Sequence, residues 1–215
     1  KNPRTANREI PSKKLSYSPA FGFVFASSAL FVLSAAALGR TCLYLSVPVL
    51  LILFLYSYTK RFTWLCHLYL GFAISLAPIG AWIAVTDTYS WPIMLLSLAL
   101  LTYIAGFDIL YACQDVDFDK KEGLFSIPAQ FGVKNAMLAS SIIHAISFFA
   151  FFAFYFAFQM GPIYLASVFL IGIFLFIEQR LVKPDDLSRI NVAFFHMNSL
   201  VSVTLLLGVF FDELI

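Results

Sequence analysis

Seven long runs of apolar residues constrain the fold of this chain more than any other feature of its sequence. Each is close to the roughly 20 apolar residues that an α-helix needs to cross the hydrocarbon core of a bilayer. Charged residues make up only 12% of the chain, against about 25% in a typical soluble domain. The sequence therefore predicts an all-α integral membrane protein, a single transmembrane domain over residues 1–215 built as a bundle of seven transmembrane helices. The runs are 19–38, 43–59, 65–86, 91–113, 136–159, 161–181 and 191–210.

The lysines and arginines predict how this bundle is oriented. Short loops rich in Lys and Arg stay on the cytoplasmic side of a membrane. All fourteen such residues except Arg40 lie in segments 1–18, 60–64, 114–135 and 180–190, which alternate along the seven-run pattern. Segment 1–18 and the loop 114–135 are therefore expected on the cytoplasmic face, where chemistry on a charged substrate would take place.

Charge and cysteine content exclude several other classes of protein. A net charge of +2 provides no clustered basic surface of the kind that neutralises nucleic-acid phosphates. The three cysteines have no short paired spacing, so neither a disulfide framework nor a zinc site is indicated. No feature indicates an obligate protein partner.

An acidic segment at the end of the fourth run is the first candidate site. At 100° per residue, Asp108, Asp115 and Asp119 fall on one helical face with Tyr111, whereas Asp117 points the opposite way. If the helix continues this far, Asp115 and Asp119 are neighbours about 6 Å apart. Two carboxylates at that spacing can hold a Mg²⁺ ion that also binds diphosphate oxygens.

This acidic segment also has a simpler interpretation, a solvated loop neutralised by its own lysines. Asp108 favours the functional interpretation because it lies inside an apolar run, where an ionisable residue is costly and usually functional. Its simpler role would be a hydrogen-bonded contact between helices.

Two cationic segments are candidate partners for a diphosphate. Arg4 and Arg8 are four residues apart near the N-terminus, and Lys60 and Arg61 follow the second run. Arginine presents fixed donors that match phosphate oxygens, and lysine presents a compact charge. The alternative is that all four residues only anchor the helices on the cytoplasmic side.

Three motifs in this order resemble the UbiA family of prenyltransferases. Residues 108–119 match the family's second aspartate motif, D-x-x-Y-A-x-x-D-x-x-x-D, at every fixed position, and Ser-Ile-Pro and Phe-Gly follow at 126–128 and 131–132. Residues 56–63 look like its Y-x-x-x-K-R-x-T element, and residues 4–11 look like the R-T-A-N-R-x-x-P that follows its first aspartate motif.

The resemblance has one departure, at the N-terminus. The family's first aspartate motif, N-D-x-x-D-x-x-x-D, would stand directly before Lys1, and the seven runs resemble the last seven of the family's nine helices. The expectation is therefore an N-terminally truncated chain that is incomplete as an enzyme by itself. Segment 1–18 would follow the missing motif, and loop 114–135 would carry the second.

What the resemblance implies is a Mg²⁺-dependent aromatic prenyltransferase of ubiquinone or menaquinone biosynthesis. It would transfer a polyprenyl group from polyprenyl diphosphate to an acceptor such as 4-hydroxybenzoate, at the cytoplasmic face of a bacterial inner membrane. The implied metal ligands are Asp115 and Asp119, and the implied catalytic residues are Asp108 and Tyr111. The implied diphosphate-binding residues are Arg4, Arg8, Lys60 and Arg61.

Other functions remain open on sequence alone. Haem O synthases and chlorophyll synthases share the family's fold with a different acceptor. A transporter could use Asp108 as an ion or proton site, although no inverted repeat is visible. An intramembrane aspartyl protease would need a second aspartate deep in another helix. His196 and Asn198 in the last run could contact an acceptor or simply make polar contacts between helices.

Overall fold

The computed structural model describes residues 2–215, which are almost entirely helical. Seven of the helices in this part of the chain, α1–α4 and α7–α9, are long and apolar enough to cross a membrane, which confirms the prediction of a seven-helix all-α membrane protein. The helices are α1 (Tyr17–Leu38), α2 (Arg40–Thr59), α3 (Cys66–Thr86), α4 (Ile93–Ala112), α5 (Val116–Lys121), α6 (Ile127–Phe131), α7 (Val133–Ala157), α8 (Pro162–Leu181) and α9 (Ile190–Leu214).

The helix ends follow local chemistry, and some of them differ from the predicted runs by a few residues. Helix α7 begins at Val133 and α9 extends to Leu214, because helices accept polar residues in their terminal turns whereas a search for apolar runs stops at them. Gly39, with φ of 145°, separates α1 from α2. Ser126 caps α6 by accepting a hydrogen bond from the Ala129 N–H.

Helix α4 lies at the centre of the bundle, with α3 and α7 packed against it. Two glycines allow these close approaches. A Cβ at Gly71 would collide with the carbonyl oxygen of Leu101, and one at Gly106 would collide with the imidazole ring of His144. The site segment that follows α4 is therefore attached to the most firmly packed helix of the molecule.

Helix α9 contains a π-helical turn at Ala193–Met197. A π turn leaves a local irregularity in the backbone ladder and occurs frequently at functional sites. Asn198 follows the turn, donates to the Phe194 carbonyl and accepts from the Tyr103 hydroxyl of α4. These bonds fix the turn against α4 and position the ring of Phe194.

Candidate active site

The acidic segment leaves α4 through a tighter turn than the sequence projection assumed. Helix α4 ends at Ala112, a 3₁₀ turn covers Cys113–Asp115, and α5 begins at Val116. The assumption of one continuous α-helix was therefore wrong, because a 3₁₀ turn has three residues per turn rather than 3.6. Even so, Asp115 and Asp119 are buried and Asp117 is exposed.

Asp115 is bound by the N-terminal segment. Arg4 donates from Nε and from a terminal nitrogen to the two carboxylate oxygens, at 3.0 and 2.5 Å, and Asn2 donates to Oδ1 at 2.6 Å. The hydrogen bonds to Asp115 raise the pKa of Arg4, while its partial burial acts in the opposite direction. Such a two-point contact fixes the orientation of both side chains.

Asp119 is bound in the same way by the segment after α2. The ammonium of Lys60 lies 2.9 Å from Oδ2 and 3.2 Å from Oδ1, and the Ser126 hydroxyl donates to Oδ2 at 2.8 Å. Asp119 is 1% exposed, so removing its partners would leave a buried charge without compensation. The Phe125 N–H also donates to the Lys60 carbonyl at 2.7 Å, which holds the loop after α5 against the end of α2.

The four candidate cations thus divide into two groups. Arg4 and Lys60 contact the aspartates, whereas Arg8 and Arg61 are exposed and form no ion pair with any residue from 2 to 215. The guanidinium of Arg61 lies 5.5 Å from the ring centre of Tyr58.

Two buried carboxylates fit a hard cation in their donor chemistry, since Mg²⁺ prefers oxygen ligands and keeps several waters. All four oxygens of Asp115 and Asp119 already accept hydrogen bonds, from Arg4 and Asn2 and from Lys60 and Ser126. No group of three or more His, Cys, Asp or Glu side chains within residues 2–215 could hold a metal. Because a carboxylate has about four lone-pair sites, the aspartates would take a cation either at a remaining site or by exchanging Arg4 and Lys60 for it, with further oxygens from water or substrate.

Asp108 lies two turns before Asp115 and has a partner of its own. Its Oδ2 is 2.7 Å from Nδ1 of His67 on α3. The side chain of His67 is 1% exposed and that of Asp108 is 20% exposed. The pair therefore extends from the packed α3–α4 interface to a partly open surface on the helical face that carries Asp108, Asp115 and Asp119.

Aromatic rings cover the same face of α4. Tyr111 donates no side-chain hydrogen bond to a described residue; its hydroxyl accepts one from Arg4 at 2.7 Å. The Arg4 guanidinium lies 4.7 Å from the centre of the Tyr111 ring, and Phe194 stacks on that ring at 4.1 Å. Phe107 contacts Phe194 edge-to-face at 5.2 Å. Tyr111 is thus already beside a positive charge.

Two cavities lie away from the aspartates. A groove of about 760 Å³ runs between α7 and α8, and an apolar one of about 460 Å³ lies among α1, α2 and α3. Neither is lined by Asp108, Asp115 or Asp119.

Sequence reasoning did not identify four residues that the structure brings to the site: Asn2, His67, Ser126 and Phe194. Ser126 had a usable signal, a serine before Ile-Pro that is typical of a helix start. His67 and Phe194 had none, because each reaches the site through packing between helices distant in sequence. Of the two polar residues considered in the last run, Asn198 bonds to Tyr103, while His196 is exposed.

The fold agrees with comparisons to known proteins. The model of the UbiA prenyltransferase family matches residues 1–200. A 4-hydroxybenzoate octaprenyltransferase of Nitrosomonas eutropha is 29% identical over 99% of this chain and 73% of its own length. One of Vibrio campbellii is 24% identical over 95% of this chain and 72% of its own length. The solved apo structure of a UbiA homologue from Aeropyrum pernix K1 is 33% identical, with a TM-score of 0.90 over 99% of this chain and 78% of that one.

The chain belongs to the UbiA prenyltransferase family. This confirms the resemblance drawn from the three motifs and favours a prenyltransferase over a transporter that uses Asp108.

Proposed function

We propose that this protein transfers a polyprenyl group from polyprenyl diphosphate to an aromatic acid such as 4-hydroxybenzoate, in quinone biosynthesis. Polyprenyl transfer to an aromatic acceptor is the activity that the family match and the named relatives support. The observation that carries the proposal is the pair of buried aspartates on the family's second motif, each bonded to a cation that suits a phosphate.

The charged residues divide into metal ligands and diphosphate ligands. Asp115 and Asp119 would hold Mg²⁺, which supplies Lewis-acid stabilisation of the leaving diphosphate. Arg4 and Lys60 would then turn from the aspartates to phosphate oxygens, since both side chains present several donors. Arg8 and Arg61 are exposed and would add charge around the same diphosphate.

The aromatic rings beside the aspartates would stabilise an allylic carbocation. Loss of diphosphate from the donor leaves a positive charge on the isoprene unit that carried the diphosphate, and ring faces attract such a charge. Tyr111 and Phe107 lie about one and two turns before Asp115, and the ring of Phe194 contacts both of their rings. This cluster of rings would shield the cation from water until the aromatic ring of the acceptor attacks it.

The partly exposed carboxylate of Asp108 would receive the ring proton or orient the acceptor.

The uneven distribution of Lys and Arg between the loops supports a site on the cytoplasmic face, and we assign the protein to a bacterial inner membrane.

Substitution of the aspartates in the full-length protein tests this proposal. Asp115→Asn and Asp119→Asn each remove one anionic oxygen ligand while keeping side-chain volume. We expect Mg²⁺-dependent transfer from polyprenyl diphosphate to 4-hydroxybenzoate to fall about 100-fold or more, equivalent to roughly 3 kcal/mol of transition-state stabilisation.

Asp117→Asn is the matched control, because this residue lies on the same short helix as Asp119, two residues after Asp115, but is exposed. We expect nearly full activity from this variant. Thermal unfolding of each purified variant separates lost chemistry from lost folding. Equal activity in all three variants would contradict the proposed roles of Asp115 and Asp119.

A further inference from the structure

The carboxyl group of Asp108 is paired with His67, whose Nδ1 lies 2.7 Å from Oδ2. When Asp108 is a carboxylate its oxygens only accept, so Nδ1 is then the donor, in a neutral or a charged imidazole. Oδ1 of Asp108 forms no hydrogen bond to any side chain or backbone group within residues 2–215, and Asp108 is the member of the pair with an exposed surface.

The second ring nitrogen of His67, Nε2, is fully buried and has no hydrogen-bond partner within residues 2–215. Buried histidines that serve only packing usually satisfy both ring nitrogens, as His144 does by contacting the Tyr103 carbonyl and Gln179. The polar contact to Asp108 is therefore the one that explains a histidine at this buried position.

Without a donor, the carboxyl group of Asp108 would be free to rotate. A buried donor at 2.7 Å restricts this rotation and leaves the other carboxyl oxygen available to accept a proton.

We propose that His67 is a positioning residue for Asp108, holding Oδ2 so that Oδ1 faces the acceptor. This inference rests on the proposed prenyl transfer. When the acceptor's ring carbon bonds to the allylic carbon, the C–O bond to diphosphate has broken with its electron pair on the leaving group. The hydrogen on that ring carbon then leaves as a proton to Oδ1, and the C–H electrons restore the aromatic ring.

A double-mutant cycle in the full-length protein tests whether His67 acts through Asp108. His67→Leu removes the donor, Asp108→Asn removes the base, and the double variant removes both. We expect kcat to fall about 100-fold or more in Asp108→Asn, a typical scale for general-base catalysis. In His67→Leu we expect a fall of about 10-fold or more, the scale of one hydrogen bond to a charged group, while KM for the polyprenyl diphosphate changes little in either variant. The double variant should be no slower than Asp108→Asn alone, because residues acting as a unit are not additive.

Further variants serve as controls for the double-mutant cycle. His67→Gln keeps an N–H donor and should restore most of kcat. His67→Phe removes the donor while keeping a ring, and it replaces His67→Leu in the cycle if the leucine variant does not fold. His144→Leu removes another buried histidine, on α7, and its effect should combine additively with Asp108→Asn.

The outcomes are distinguishable. If the donor-removing variant, His67→Leu or His67→Phe, costs as much in the Asp108→Asn background as in the unmodified protein, His67 does not act through Asp108 and the inference is wrong. If the unmodified full-length protein shows no prenyl transfer at all, the proposed function itself has failed.

Discussion

Tyr111 combines two interactions that ordinary substitutions can separate. Its hydroxyl accepts from Arg4, and its ring lies under the Arg4 guanidinium and against Phe194. In the proposed reaction the hydroxyl helps to orient Arg4, whereas the ring face stabilises positive charge.

Tyr111→Phe and Tyr111→Leu should therefore differ in effect. The phenylalanine variant loses one hydrogen bond, worth about 1 kcal/mol, and should reduce kcat/KM by roughly 5- to 10-fold. The leucine variant also loses the ring and should reduce it by a further 10-fold or so, given about 0.5–2 kcal/mol for a cation near an aromatic face. Steady-state kinetics of both variants checks this, and identical losses would show that the ring face has no role.

At the residue scale, sequence could predict the local pattern but not the partners. The burial of Asp115 and Asp119 and the exposure of Asp117 follow from helical spacing, which survives one tighter turn. That Arg4 contacts Asp115 while Arg8 points outward does not follow from spacing. It depends on how the short segment before α1 folds back onto the end of α4.

At the scale of whole helices, the site depends on how closely α3 approaches α4, since this contact brings His67 to Asp108. Gly71 lies one turn after His67 on α3, and the Leu101 carbonyl occupies the position that a Cβ would need. The hydrophobic runs predicted both helices but not their separation, which small residues set.

Gly71→Ala should destabilise the protein and Gly80→Ala should not. Gly80 is on the same helix, and a Cβ added there would meet no other atom within 4 Å. We expect Gly71→Ala to cost about 1–3 kcal/mol by overpacking, whereas Gly80→Ala is neutral or gains up to about 1 kcal/mol of helix propensity. Thermal unfolding in one detergent compares the two variants; similar midpoints would contradict the close α3–α4 contact.

At the scale of the whole molecule, the alternation of charged loops predicts which face carries the site. Segment 1–18 and the turn after α2 supply Arg4 and Lys60 to the aspartates, so these segments share one side. The counts of Lys and Arg predict that this side faces the cytoplasm.

Cysteine labelling checks this orientation. In a Cys42→Ser background, where Cys66 and Cys113 are buried, Thr88→Cys lies in the exposed α3–α4 loop and Ser16→Cys lies just before α1. A membrane-impermeant maleimide should label Thr88→Cys in intact cells and Ser16→Cys only after the membrane is opened. The reverse pattern would move the site to the outer face.

The central position of α4 has a consequence for how the protein responds to its membrane. Half of the apolar stretch within Ile93–Lys121 is buried inside the protein, against 6% of the corresponding stretches in α1 and α2. Helices surrounded by lipid tilt when bilayer thickness does not match their length. Because α3 and α7 enclose α4, the spacing of the aspartates should be nearly independent of lipid chain length, while the α1–α2 hairpin adjusts to the bilayer.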